Sequence, residues 1–335
     1  MPAPLRLVFL GTPHFALVTL KALLSRPDLC TVVGVYTQPD RPTGRGRSLQ
    51  PAPVKAHALC QHPPLLCLSP TRLRPADSLA AFAALRPDLA VVAAYGNLLP
   101  PAWLTTPALG CLNLHASLLP RHRGASPIAH AILGGDPCTG VSLMQMDPGL
   151  DTGAVFCREG LPIEPSDTTE SLTAKLAALS AATLMAQLPA IAAGTLRAIP
   201  QDALPAWDGA DLSPSLAPRL AKAQGEIDFG GSACQIARQV RAFYPWPGSF
   251  VQNQGARLVV VQAQADLATV SKAPKASETP GTVLQTSPAG LWVACGEGSL
   301  LLERVRPAGR GTMSAAAWWS GRRLATGSAL VDGLM

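Results

Sequence analysis

The sequence predicts an α/β protein: a doubly wound, mostly parallel sheet followed by a small β-barrel. Three observations carry this. From Leu5 to about residue 192, apolar runs of strand length alternate with helical periods. The strand segments Thr31 to Thr37 and Asp88 to Ala94 are Val- and Ala-rich throughout, as strands buried on both faces are. Beyond residue 249 the chain breaks into short strand segments punctuated by Gly and Pro, the spacing of a small barrel.

A length of 335 residues suits two domains. Residues 194–217, with prolines 200, 205 and 214 and no clear period, read as a linker between a domain at 1–193 and one at 218–335. Charged residues are only 14%, yet no run of about 18 uncharged apolar residues appears, so no membrane span is expected. A strand begins almost at once, which leaves no room for a signal peptide. None of the eight cysteines forms a Cys-x-x-Cys pair, and no histidine stands at zinc-ligand spacing from one. Free thiols in a reducing cytoplasm are expected, without disulfide or metal. Residues 214–335 carry 12 Lys/Arg against 7 Asp/Glu, whereas 1–213 carry 15 against 14. A basic second half suits an anionic partner such as nucleic acid, and equally a merely soluble basic domain.

Leu5 to Leu10 reads as the first strand, with Thr12 as N-cap and Pro13 opening the helix that shows Phe15, Leu20, Leu23 and Leu24 on one face. This is a Rossmann-like βα start without its dinucleotide fingerprint, because Gly11 stands alone; a nicotinamide enzyme is disfavoured. The loop at 37–55 holds prolines 39, 42, 51 and 53, glycines 44 and 46, and Arg41, Arg45 and Arg47, lightly opposed by Asp40. Its composition argues against regular structure and suits either phosphate contact or a solvated loop. Asp77 is placed to cap the helix from Ser78. The strand at 88–94 ends in Tyr95-Gly96-Asn97, where backbone groups could bind a flat heterocycle. Asp167-Thr-Thr-Glu170 reads as a capping box before a long Leu-lined helix that Pro189 kinks or ends.

The stretch organising the chain is CLNLHASLLPRHRG, residues 111–124. In a strand Asn113 and His115 share a face, while Leu112 and Leu114 point into packing. An amide donor and an imidazole thus stand together at a strand's C-terminal end, where open parallel sheets bind ligands. Downstream, the acidic loop Asp147-Pro-Gly-Leu-Asp151-Thr-Gly153 offers a carboxylate. Amide and imidazole could stabilise the oxyanion of a tetrahedral intermediate. The carboxylate could orient the imidazole and help take a proton from an attacking amine. No Ser or Cys sits in a recognisable nucleophile elbow, so direct transfer between two bound substrates is favoured. Spacing does not prove the constellation, since Asp151 lies 36 residues beyond His115.

The run Asn113 to Gly124, with Met144-Gln-Met-Asp147-Pro-Gly-Leu-Asp151-Thr-Gly153, resembles the formyltransferases that use 10-formyltetrahydrofolate. The likeness covers essentially the whole chain: FLGTPHFA at 9–16, TQPDRPTGRGR at 37–47, VVAAYGNLLP at 91–100 and RAFYPWPGSF at 241–250. Within that family it is strongest to the members that formylate methionine on charged initiator tRNA. The resemblance implies Asn113, His115 and Asp151 as the catalytic trio. It implies that Ser117, Leu118, Leu119 and Pro120 border the folate site, with backbone from Tyr95 and Gly96. It implies that the 37–47 loop, through Arg41, Arg45 and Arg47 and above all Arg45, reaches the acceptor arm of initiator methionyl-tRNA. The second domain would be OB-like and bind tRNA through scattered arginines; a cytoplasmic monomer without metal is implied. His14, His122 and Phe229 depart from the usual acidic, aromatic and Trp residues, and none touches the trio. An alternative within the family is a formyltransferase acting on an amino-sugar nucleotide. A glycinamide ribonucleotide formyltransferase would lack the second domain. The segment SKAPKASETP at 271–280 reads as a hairpin, and Trp318 and Trp319 as packing residues of a last helix begun by Ser314.

Overall fold

The computed structural model describes residues 4–43, 48–207, 211–266, 279–322 and 325–331. Arg45, Arg47 and most of the 271–280 segment lie outside the described residues. The strands are β1 (Leu5–Gly11), β2 (Cys30–Tyr36), β3 (Arg41–Thr43), β4 (Ser48–Gln50), β5 (Cys67–Leu68), β6 (Leu89–Ala93), β7 (Cys111–His115), β8 (Cys138–Gln145), β9 (Val155–Pro162), β10 (Ser249–Asn253), β11 (Ala256–Ala265), β12 (Val283–Ser287), β13 (Gly290–Ala294), β14 (Ser299–Pro307) and β15 (Met313–Ser314). The α-helices are α1 (His14–Leu24), α2 (Pro53–Leu59), α3 (Ala76–Ala84), α4 (Pro101–Thr105), α5 (Pro127–Gly134), α6 (Thr169–Ala192), α7 (Ala233–Ala242) and α8 (Ala315–Ser320). They form two units: residues 1–127, 137–162 and 172–218, and residues 128–136, 163–171 and 219–335.

The first unit is Rossmann-like. Its sheet runs β5-β2-β1-β6-β7-β8-β9, parallel from β5 to β7 and antiparallel from β7 to β9. The chain winds outward from β1 to β5, then returns to β6 on the other side, so the strand order reverses between β1 and β6. β6 is buried at every position, as a central parallel strand must be. Against this sheet Phe82 stacks on Trp103 at 4.4 Å, and Tyr36 meets both rings edge-on. Trp103 Nε1–H donates to Leu73 O at 3.1 Å, which settles the indole's polar atom in this core.

Four local expectations are corrected. Thr12 caps no helix: α1 has Pro13 at its N-cap position, and the Thr12 hydroxyl instead donates to Tyr95 O and accepts from Gln38 N–H. The hydroxyl ties together the loops after β1, β2 and β6, a long-range use that local spacing cannot reveal. The 37–55 stretch does hold regular structure, since β3 and β4 pair antiparallel and α2 starts at Pro53. Pro42 is tolerated there because, among the described residues, each strand has a single partner and needs no second row of N–H donors. Asp77 lies inside the first turn of α3, where its charge complements the helix dipole, rather than at its cap. The box before α6 sits one residue later than Asp167: Ser171 N–H donates to Thr168 Oγ1 while Thr168 N–H donates to Ser171 Oγ. α6 then runs through Pro189 to Ala192. It is long and apolar enough to cross a membrane by composition, with Leu172, Leu176, Leu184 and Leu188 buried as in a core helix.

The second unit carries a separate antiparallel sheet, β10-β11-β14-β13-β12, with β15 on β14. Among the described residues β10 and β12 do not pair with each other, so the expected barrel closure is absent. The outer edges are covered instead by short bridges, Glu226 to Phe250 and Ala329 to Thr282, which protect them from stray pairing. One face packs on α7 through Ile236 and Val240, and Trp318 and Trp319 of α8 are buried in the same core. These two indoles are packing residues, 5% and 2% exposed. Ser232 and Gln235 form a reciprocal capping box on α7. Ser232→Ala is expected to destabilise this unit by about 1 kcal/mol, read as a lower urea midpoint with unchanged slope.

Candidate active site

β7 alternates as expected: Leu112 and Leu114 are buried, and Asn113 and His115 share the other face at the strand's end. Asn113 pairs across to Val92 of β6 and Met144 of β8. The turn after β8 brings Asp151 back to this end. Asp147 shapes that turn by accepting from Gly149 N–H and Thr152 Oγ1–H. Gly153 closes it because a Cβ there would lie 1.8 Å from Gln145 O.

Asp151 is the hub. Its Oδ1 accepts from Asn113 Nδ2 at 3.3 Å, and its Oδ2 accepts from Gly124 N–H at 2.9 Å. His115 Nδ1 stands 3.6 Å from the same Oδ2, within ion-pair range but beyond a hydrogen bond. His115 Nε2 lies 2.9 Å from His122 O. A carbonyl only accepts, so Nε2 carries a hydrogen and Nδ1 is the nitrogen turned to the carboxylate. The trio that spacing left unproven is therefore one cluster, with His115 5% and Asp151 15% exposed at their side chains. His122, expected to stand clear of the trio, touches it through its backbone carbonyl.

The remaining predicted residues divide. Tyr95 and Gly96 follow β6, the neighbour of β7, so they reach the same end of the sheet. Gly96 has φ +88°, and among the described residues only Gln38 approaches its open side. Ser117, Leu118 and Leu119 have buried side chains, and Pro120 is the half-buried member of that run. Ser142 holds the run by donating to Ser117 O and accepting from Leu119 N–H. Arg41 is exposed on β3. Asp40 pairs with Lys55 at 2.8 Å.

Neighbouring groups narrow the chemistry. Burial pushes the Tyr95 phenol up to about 12, against a smaller opposite pull from Asn97, and burial with nearby Tyr95 pushes Tyr36 up to about 12. Neither phenol is a base at neutral pH. Burial also pushes the Cys111 thiol, at the start of β7, up to about 12 and the Cys157 thiol up to about 11. Neither is a ready thiolate nucleophile.

Sequence reasoning missed the supports. The stretch 194–217 belongs to the first unit, where Ile199 bridges Val155. From it Gln201 reaches the Asp151 loop, and Ser215 reaches His122. Single polar residues in a proline-rich stretch leave no periodic trace, so no local signal marked them.

The formyl transferase model matches residues 5–188, and the formyl transferase C-terminal domain model matches 219–323. A methionyl-tRNA formyltransferase of Myxococcus xanthus is 45% identical over 96% of this chain and 97% of its own. One of Hydrogenovibrio crunogenus is 43% identical over 98% of this chain and 100% of its own. Among solved structures, WlaRD, a sugar 3N-formyl transferase, superposes with TM-score 0.61 at 14% identity, covering 92% of this chain and 99% of that one. HypX from Aquifex aeolicus superposes with TM-score 0.60 at 15% identity, covering 94% of this chain and 48% of that one. The structures share the fold; the models and the near-full-length relatives share the sequence, from β1 through the second sheet. The chain belongs to the formyl transferase family.

Proposed function

We infer that this protein transfers the formyl group of 10-formyltetrahydrofolate to the amino group of methionine on initiator tRNA. The observation that carries the chemistry is the Asp151 carboxylate, which holds Asn113 and faces His115 at the C-terminal end of β7. The choice of amine follows the relatives. Methionyl-tRNA formyltransferases match at 43–45% identity over nearly the whole chain, whereas the sugar enzyme WlaRD is 14% identical.

When bound, 10-formyltetrahydrofolate supplies the formyl carbon as co-substrate. The residues present suit it. Gly96 keeps the strand end open, and the buried Gln38 Nε2 beside it has no partner among the described residues, so a donor is available to a heterocycle. Asn113 has one amide hydrogen on Asp151 and a second to offer the formyl oxygen as negative charge develops there. Asp151 orients His115 and accepts the proton that the amine loses on attack, directly or through water. The amine–carbon bond forms, the bond from that carbon to the folate nitrogen breaks, and a proton goes to that nitrogen.

Further parts of the reading are ours. Residues 1–193 serve catalysis, 194–217 link the two parts while packing with the first, and 218–335 form an OB-like module that binds tRNA. Arg41, Arg45 and Arg47 contact phosphates of the acceptor arm. Ser117 to Pro120 border the folate, with backbone from Tyr95 and Gly96. The protein works as a cytoplasmic monomer without metal. The excess of positive charge in residues 214–335 supports phosphate contact.

Labelled 10-formyltetrahydrofolate offered with charged initiator tRNA or an amino-sugar nucleotide tests the assignment. Label on methionyl-tRNA is expected; label on the sugar alone would overturn it. Affinity for tRNA is expected to fall steeply and linearly on a log–log plot against salt, as counterion release requires. A flat response in a filter-binding titration would remove the phosphate contacts.

A further inference from the structure

We propose that Gln201 and Ser215, two side chains from the stretch between the family matches, are positioning residues that set the catalytic backbone. The proposal rests on the roles given above to Asp151 and His115. Asp151 and His122 have φ of +52° and +60°, a left-handed backbone that residues other than glycine hold only where surroundings impose it. Each is pinned from the same stretch.

Gln201 Nε2 donates to Asp151 O at 2.8 Å and to Gly153 O at 2.9 Å. Its Oε1 accepts from Arg123 Nε at 3.0 Å and Nη2 at 2.6 Å. Both amide hydrogens and both lone pairs are thus committed, in a side chain whose residue is 7% exposed. Ser215 Oγ accepts from His122 N–H at 3.0 Å. The His122 carbonyl in turn receives His115 Nε2. Gln201 therefore fixes the backbone from which the carboxylate is aimed, and Ser215 fixes the carbonyl that turns the imidazole. Arg123 joins the two: its guanidinium lies on Gln201, and its own N–H donates to Ser215 O at 2.9 Å. Neither Gln201 nor Ser215 hydrogen-bonds a side chain of the trio; both act through backbone.

Gln201→Glu keeps shape and the acceptor for Arg123, but it removes both donors and sets a carboxylate against two carbonyls. With wild type forming formylmethionyl-tRNA in parallel, kcat is expected to fall about 10- to 100-fold, the scale of a misplaced catalytic group. KM for both substrates and the thermal midpoint should stay near wild type. Ser215→Ala should lower kcat about three- to tenfold, the worth of one hydrogen bond, and Ser215→Thr should restore most of it. If Gln201→Glu fails to fold, the serine pair decides. Full kcat in Gln201→Glu and Ser215→Ala overturns the proposal, as does a loss that Thr does not rescue. A wild-type chain that makes no formylmethionyl-tRNA overturns the functional reading instead.

Discussion

Asp151→Asn is expected to lower the single-turnover rate of formyl transfer by about 10³-fold, within the range for general acid–base catalysis. The exchange is isosteric, so packing is kept while two properties are lost. The first is proton acceptance: an amide does not take a proton from the attacking amine. The second is symmetry of acceptance. The carboxylate accepts on both oxygens, from Asn113 Nδ2 and from Gly124 N–H. An amide has one oxygen, so one of those donors must face another donor. The negative charge near His115 Nδ1 also disappears. Binding of tRNA should be little changed, because the loss falls on the reaction step. Rapid-quench measurement with prebound substrates reads the rate directly, and a change under threefold would remove Asp151 from the proton path.

Much of the first unit could be read from the chain because its signals are local. The two-residue period of Cys111 to His115 put Asn113 and His115 on one face, and β7 holds them there. All-apolar stretches such as β6 announced a central parallel strand. What escaped depends on distance. Thr12 has the chemistry of a helix cap, yet its hydroxyl serves Tyr95, 83 residues away. β8 is buried along most of its length, as a parallel strand would be, so its antiparallel pairing leaves no mark in its own sequence. The trio needed the fold as well: the 2.9 Å contact from Gly124 N–H to Asp151 has no counterpart in spacing. In the second unit, Gly and Pro punctuation marked strands, but punctuation carries no information on which edges meet. There the edges meet Glu226 and Ala329 instead of each other.

The cluster also fixes how its parts couple, and Asn113 shows this most directly. Asn113→Ala is expected to cost about 10²–10³ in kcat, the usual loss for one oxyanion donor, or about 2.7–4 kcal/mol. The amide bonds Asp151 with one hydrogen at 3.3 Å. Its other hydrogen, offered to the developing oxyanion, acts mainly in the transition state, so kcat and kcat/KM should fall together. Asn113→Asp should be worse than alanine, because a second carboxylate would stand where the amide now donates to the first. Because Asn113 also steadies Asp151, the two losses overlap. In the double variant Asn113→Ala with Asp151→Asn, the penalty should be clearly less than the product of the singles. Strict multiplication of the two effects would mean that the amide and the carboxylate act independently, despite the bond that joins them.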